Sequence, residues 1–266
     1  MNVKLFSAAF ITALITLTVT ACEPVGAIPP PDIPWKDQIE KGGKILNGFR
    51  FKVEDGGIRI IRYEGEGETD YAKIDEAGGI NLTIPEEIEG VPVRTIGIHA
   101  FREKNLTGVV IPGSVILIEY YAFGNNRLSN IVIPDSVTSI GIAAFKINEL
   151  TGVLISNRVI SIERDTFRNN KLTEIIIPLS VSSIDGSAFS NNQLTRVLLP
   201  DRVTYVGLNA FGDNPELAEI TLGKNVDFRE WLTYSSGFIK TYYSGGSQAG
   251  TYIKPDINKD VWIKKE

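Results

Sequence analysis

Few side chains in this 266-residue chain could do chemistry, and their spacing limits what that chemistry could be. His99 is the only imidazole, between Ile98 and Ala100. General-base or nucleophilic catalysis needs a partner at a defined position. None is spaced for it, so His99 reads as a surface residue. Glu86 and Glu87 are adjacent carboxylates. An acid–base pair needs an apolar pocket that pushes one pKa up. Their surroundings carry no such pattern, and they read as a solvated face. Asp256-Ile257-Asn258-Lys259-Asp260 opens like a calcium loop, but Val261 stands where glycine is needed and no twelfth-position Glu follows. Asn81-Leu82-Thr83 and Asn105-Leu106-Thr107 fit the glycosylation sequon and read as incidental. A single Cys excludes an intrachain disulfide and a multi-thiolate zinc site. There is no P-loop and no dinucleotide fingerprint. The expectation is a chain without catalytic residues, metal or cofactor.

The one thiol has a different chemistry. Residues 1–21 carry a single charge, Lys4, and an apolar run from Leu5 to about Val19. That run is too short and too rich in Thr for a membrane span and fits the core of a secretory signal. It ends Val19-Thr20-Ala21-Cys22, which resembles a bacterial lipobox. A lipid on Cys22 would bury many methylenes at ~0.8 kcal/mol each, anchoring the chain without a spanning helix. The segment EPVGAIPPPDIP that follows holds five prolines. It cannot form helix or central strand and favours an extended polyproline spacer.

The elements that would be held out on this tether are set by a repeat. Phe101, Phe123, Phe145, Phe167, Phe189 and Phe211 follow one another at intervals of 22 residues. Ile96, Ile118, Ile140, Ile162, Ile184 and Val206 precede each by five. Leu106, Leu128, Leu150, Leu172 and Leu194 follow by five, with Leu217 displaced by one beside Pro215. A fixed period in the twenties is the signature of a solenoid. Leu-x-x-[Val/Ile/Leu]-x-[Ile/Leu] reads as a short strand, Pro stops it, Val-x-x-Ile-Gly forms a second apolar edge, and Ala-Phe closes the coil. One unit cannot bury its own apolar face, but stacked units can. The Phe column should carry most of the core, since a buried Phe removes ~150–250 Å² from water. Asn126, Asn148, Asn170, Asn192 and Asn214 sit three after each Phe, where Asn can bond the adjacent turn or take a left-handed conformation.

The unit L-x-x-I-x-I-P-x-x-V-x-x-I-G-x-x-A-F, seen well in TEIIIPLSVSSIDGSAF (173–189), resembles the BspA-type leucine-rich repeat of bacterial surface proteins, including spirochaetal ones. Asn stands where many members have Cys. Ser156 replaces Pro and Thr166 replaces Ala without breaking register. The resemblance implies a mostly β, right-handed solenoid with little regular helix and capping segments at both ends. The expected organisation is a lipoprotein signal peptide (1–21), a Pro-rich tether (22–45), an N-terminal β cap (46–79), the solenoid (80–223) and a C-terminal cap (224–266). The N-terminal cap should hold a hairpin around Asp55-Gly56-Gly57. The C-terminal cap should cover the last coil with Trp231, Phe238, Tyr242, Tyr243, Tyr252 and Trp262.

The second, third and fifth positions of each strand should face outward. The fifth-position column is Thr83, Val110, Val132, Leu154, Ile176, Leu198 and Thr221, so five apolar residues run down an exposed face. Branched residues there are also simply good strand formers, but a contiguous apolar stripe often marks a binding surface. The face is therefore the candidate partner site. A net charge of −5 argues against nucleic acid. The resemblance implies a lipid-anchored, surface-exposed outer-membrane protein that captures host matrix proteins such as fibronectin and fibrinogen, host cells or other bacteria. The alternative is a periplasmic lipoprotein scaffold. Oligomeric state is left open.

Overall fold

The computed structural model describes residues 43–54, 56–65, 71–76, 78–228 and 237–265. Cys22, the tether before residue 43 and Trp231 lie outside them.

The fold is mostly β, a solenoid with a single short helix among the described residues. The N-terminal part holds β1 (Lys44–Leu46), β2 (Phe49–Glu54), β3 (Gly57–Tyr63), β4 (Ala72–Ile74), β5 (Ile80–Thr83), β6 (Glu87–Ile88) and β7 (Val91–Ile96). The coils add β8 (Leu106–Val110), β9 (Leu117–Ile118), β10 (Asn130–Val132), β11 (Ser139–Ile140), β12 (Gly152–Leu154), β13 (Ser161–Ile162), β14 (Ser183–Ile184), β15 (Arg196–Leu198), β16 (Tyr205–Val206) and β17 (Glu219–Leu222). The chain ends with α1 (Gly237–Ser244), β18 (Gly250–Ile253) and β19 (Ile263–Lys264).

Two sides of each coil are parallel ladders. β5 pairs with β8, β10 with β12, and β15 with β17 on one side. On the other, β3 pairs with β7, β7 with β9, β9 with β11, and β13, β14 and β16 follow. The strands are short because Pro112, Pro134, Pro178 and Pro200 lack the N–H that a ladder needs.

The third side is built from turns. Ala100 N donates to Gly97 O, and Ala122 N to Glu119 O, closing one β-turn per repeat. The residue two before each Phe has positive φ: His99, Tyr121, Ala143, Asp165, Ser187 and Asn209. The residue two after does so as well: Glu103, Asn125, Ile147, Asn169, Asn191 and Asp213. From Phe101 to Phe189 the Phe N–H then donates to the next coil, as from Phe101 to Ala122 O and from Phe123 to Ala144 O, both at 2.8 Å.

The Phe rings stack inside this frame. Successive centroids lie 5.1–5.6 Å apart with planes within 12° of parallel. The Asn column runs beside them. Asn148 Nδ2 donates to Phe123 O and Phe145 O, while its Oδ1 accepts from Leu128 N at 3.1 Å. Asn126, Asn170, Asn192 and Asn214 repeat the pattern. Each amide thus ties two coils together and satisfies buried backbone groups that would otherwise cost ~1–3 kcal/mol apiece. The column bonds the adjacent turn; the left-handed conformation belongs to the residue before it.

The two departures from the repeat are satisfied locally. Ser156 Oγ donates to Val137 O at 2.6 Å and accepts from Arg158 N. Thr166 Oγ1 donates to Glu163 O at 2.7 Å.

The ends are closed by different means. At the N-terminus β2 and β3 form the antiparallel hairpin, and Phe49 and Tyr63 lie against Phe101. Arg59 Nη1 donates to Glu119 Oε1 at 2.7 Å, joining cap to coil. β6 and β7 form a second hairpin whose Glu89-Gly90 turn has both φ positive, as a tight hairpin turn requires. At the C-terminus GFIKTYYS is helical, an element the aromatic spacing did not announce. Asp260 Oδ2 accepts from Gly237 N at its start, and Gly246, at φ 76°, follows its end. Phe238 and Tyr242 pack on Phe228, and Phe238 on Trp262. Tyr242 and Tyr243 hydroxyls accept from Val226 N and Phe228 N, each at 2.8 Å.

Candidate functional site

The outward column of the first ladder is exposed along its length. Val110, Val132, Leu154, Ile176 and Leu198 have 59, 60, 58, 77 and 64% of their surface open. Register aligns them: Thr83 opposes Val110, Val132 opposes Leu154, Ile176 opposes Leu198, and Leu198 opposes Thr221. The residues on either side of each alternate inward: Ile131 and Ile133 flank Val132 and are buried, while Val109 and Val153 are partly buried. The alternation follows from the period of two in a strand. At ~4.8 Å per strand the row is roughly 30 Å long. Its C-terminal end is closed by β18, where Thr221 and Thr251 hydroxyls meet at 2.9 Å.

The row is not uniform. Around Ile176 and Leu198 it deepens into a groove of about 660 Å³, bordered by Leu179, Glu174, Arg196 and Asp201. Leu179 is 81% exposed. Sequence reasoning missed it, although the equivalent slots hold Gly113, Asp135, Asn157 and Asp201, and a lone Leu among them was the available signal. Around Thr83 and Val110 a shallower concavity of about 390 Å³ is more polar, with Tyr71, Lys73, Asn81 and Asn130.

The structure places the other singled-out residues away from this face. Phe101, Phe123, Phe145, Phe167, Phe189 and Phe211, with the five Asn, are interior. Glu86 and Glu87 are exposed. Asp256 is engaged by its own loop: Oδ1 accepts from Asn258 N and Oδ2 pairs with Lys259 at 3.1 Å. Among the described residues no group of three His, Cys, Asp or Glu is placed to hold a metal ion. No helix among them is long and apolar enough to cross a membrane.

His99 requires a correction, because it is not a surface residue. It is 2% exposed. Its backbone N–H donates to Tyr120 O, which sets the ring against the next turn. Tyr120 lies edge-on at 5.1 Å and Tyr121 at 5.7 Å, with the Arg102 guanidinium 4.4 Å from the Tyr121 ring centre. Burial, and then Arg102, hold the His99 pKa down to about 4. The slot varies from repeat to repeat, yet here two bulky neighbours from the following coil cover it. The Tyr-Tyr pair one period later was the legible sign.

Residues 94–218 and 140–238 match the family described as the BspA type leucine-rich repeat region, in six copies. Among solved structures, a leucine-rich cell surface protein of Faecalibacterium prausnitzii A2-165 is 25% identical, over 69% of this chain and 55% of that one, with a TM-score of 0.49. A leucine-rich repeat protein of T. pallidum is 24% identical, over 67% and 71% of the two chains, at 0.37. One from Bacteroides ovatus ATCC 8483 is 17% identical, over 70% and 66%, at 0.42. The chain therefore spans little more than half the length of the Faecalibacterium protein. Comparison with curated proteins finds no match.

Proposed function

Because the chain belongs to the BspA-type leucine-rich repeat family, we propose that it is a protein-binding module held at the bacterial cell surface, an adhesin for host matrix or surface proteins or for other bacteria. The observation that carries this reading is the continuous exposed ladder from Val110 to Leu198. Apolar residues at five successive outward positions are not required by the core, and they form one strip. The lipid on Cys22 and the Pro-rich tether complete the proposal: they would hold the solenoid at the outer membrane while leaving its face free. Binding rather than catalysis suits the family and the face.

Proteinase digestion of intact cells, with a periplasmic protein as control, tests the placement. Loss of the protein while the control survives is the expected result, and expressing cells should adhere to surfaces coated with fibronectin or fibrinogen. Protection until lysis would contradict the adhesin and leave a periplasmic scaffold.

A further inference from the structure

The two halves of the ladder differ in what borders them. Beside Val110, Val132 and Leu154, the third-position column holds Gly108, Asn130 and Gly152, and the post-strand slots hold Gly113, Asp135 and Asn157. Asp135 is the one charge in those columns, and Lys73 lies beside Val110. Around Ile176 and Leu198 the groove is bordered by Glu174, Arg196 and Glu219 on one rim and Leu179 and Asp201 on the other, and Lys224 holds the next post-strand slot beyond it. Arg196 lies between two carboxylates of its own column: its guanidinium is 3.9 Å from Glu174, and its backbone is in register with Glu219. One cation against three carboxylates leaves the rims net negative above an apolar floor.

We infer that this groove selects an extended apolar segment carrying basic side chains. The inference rests on the ladder being the binding face. A chain lying along the groove would set alternate aliphatic side chains on Ile176 and Leu198. Long Lys or Arg stems from the other positions can run over the apolar floor and still bring their charges to the rims. Charge complementarity of this kind fixes which partner docks and how fast, while the apolar floor supplies the contact area. A second copy of this chain is the wrong occupant. Face to face, it would set acidic rim against acidic rim, on a chain whose net charge is already −5.

The experiment uses two fluorescein-labelled decapeptides, one alternating Leu and Lys and the other alternating Leu and Glu, with the full-length protein purified in detergent. Fluorescence anisotropy at ~0.15 M NaCl, where the screening length is ~8 Å, should show the Lys peptide binding at least ~tenfold more tightly than the Glu peptide. The triple variant Glu174→Gln, Asp201→Asn, Glu219→Gln should abolish that preference while the circular dichroism spectrum is unchanged. Ile176→Lys with Leu198→Lys should abolish binding of the Lys peptide. Equal affinity for the two peptides, or an undiminished preference in the triple variant, overturns the inference. Equal affinity that is still lost on Ile176→Lys with Leu198→Lys leaves the ladder as a binding face and removes only the charge selection. Binding of the Lys peptide that survives Ile176→Lys with Leu198→Lys removes the ladder itself.

Discussion

Phe145 and Leu154 lie nine residues apart and answer to different demands. Phe145 has Phe at the same position in the coils above and below it, and its ring is stacked between theirs at 5.3 and 5.6 Å. Any change there alters two neighbours at once, so the column is uniform from Phe101 to Phe211. Leu154 is in register with Val132 but points outward. Its column drifts through Val, Val, Leu, Ile and Leu between terminal threonines, and each member is more than half exposed. Interior columns are fixed by the stack, whereas the outward column is free to vary in type and remains apolar. Stability should therefore follow the first column and recognition the second.

The sharpest way to break this contrast is to cut into the interior. Phe145→Ala should cost about 3–5 kcal/mol in chemical denaturation, since a ring is lost from a stack that cannot collapse around the gap. Asn148→Ala should cost about 1–3 kcal/mol, because Leu128 N loses its acceptor while Phe123 O and Phe145 O keep Asn126 and Asn170 as donors.

The third prediction concerns pH. His99 titrates near 6.5 in the unfolded chain and about 4 when folded. Below pH 6.5 the unfolded state binds a proton that the folded state refuses, so stability conferred by the neutral ring falls from pH 6.5 down to 4. His99→Asn, which tolerates the left-handed backbone, should flatten the denaturation midpoint across that window. An unchanged slope in the variant would show that His99 does not govern it.

A smaller effect runs the other way. Ile147 is the one β-branched residue among the left-handed positions two after each Phe, where Asn stands in three other coils. Its side chain is only half-buried, so Ile147→Asn should stabilise by about 1 kcal/mol through relief of backbone strain. A thermal melt shows this as a rise of roughly 2–4 °C.

The same contrast explains what was legible in the sequence. A 22-residue period is a statement about what lies above and below, so the Phe, Ile and Leu columns specify the stack before any coordinates. The hairpin of β2 and β3 and the exposed column also follow, from turn chemistry and from strand alternation. What did not follow lies where the repeat stops speaking. α1 lies beyond the last coil, and its packing on Phe228, Tyr252 and Trp262 and its tie to Asp260 hold it as helix. His99 occupies a slot whose environment depends on the particular neighbours Tyr120 and Tyr121, not on the period. The groove beside Ile176 depends on Leu179, Glu174 and Asp201, which the period leaves unconstrained.

The central claim, that the outward ladder recognises and does not stabilise, is tested most directly by two double variants of matched cost. Leu154→Lys with Ile176→Lys places charge on the ladder. Ile116→Lys with Ile160→Lys places the same charge on the edge of the second ladder, where those residues are 41 and 59% exposed. Both should melt within about 0.5 kcal/mol of the parent, as surface changes do. Capture of immobilised fibronectin or fibrinogen should be lost in the first pair and kept in the second. Equal capture by both pairs would contradict the account and free the ladder from any part in binding.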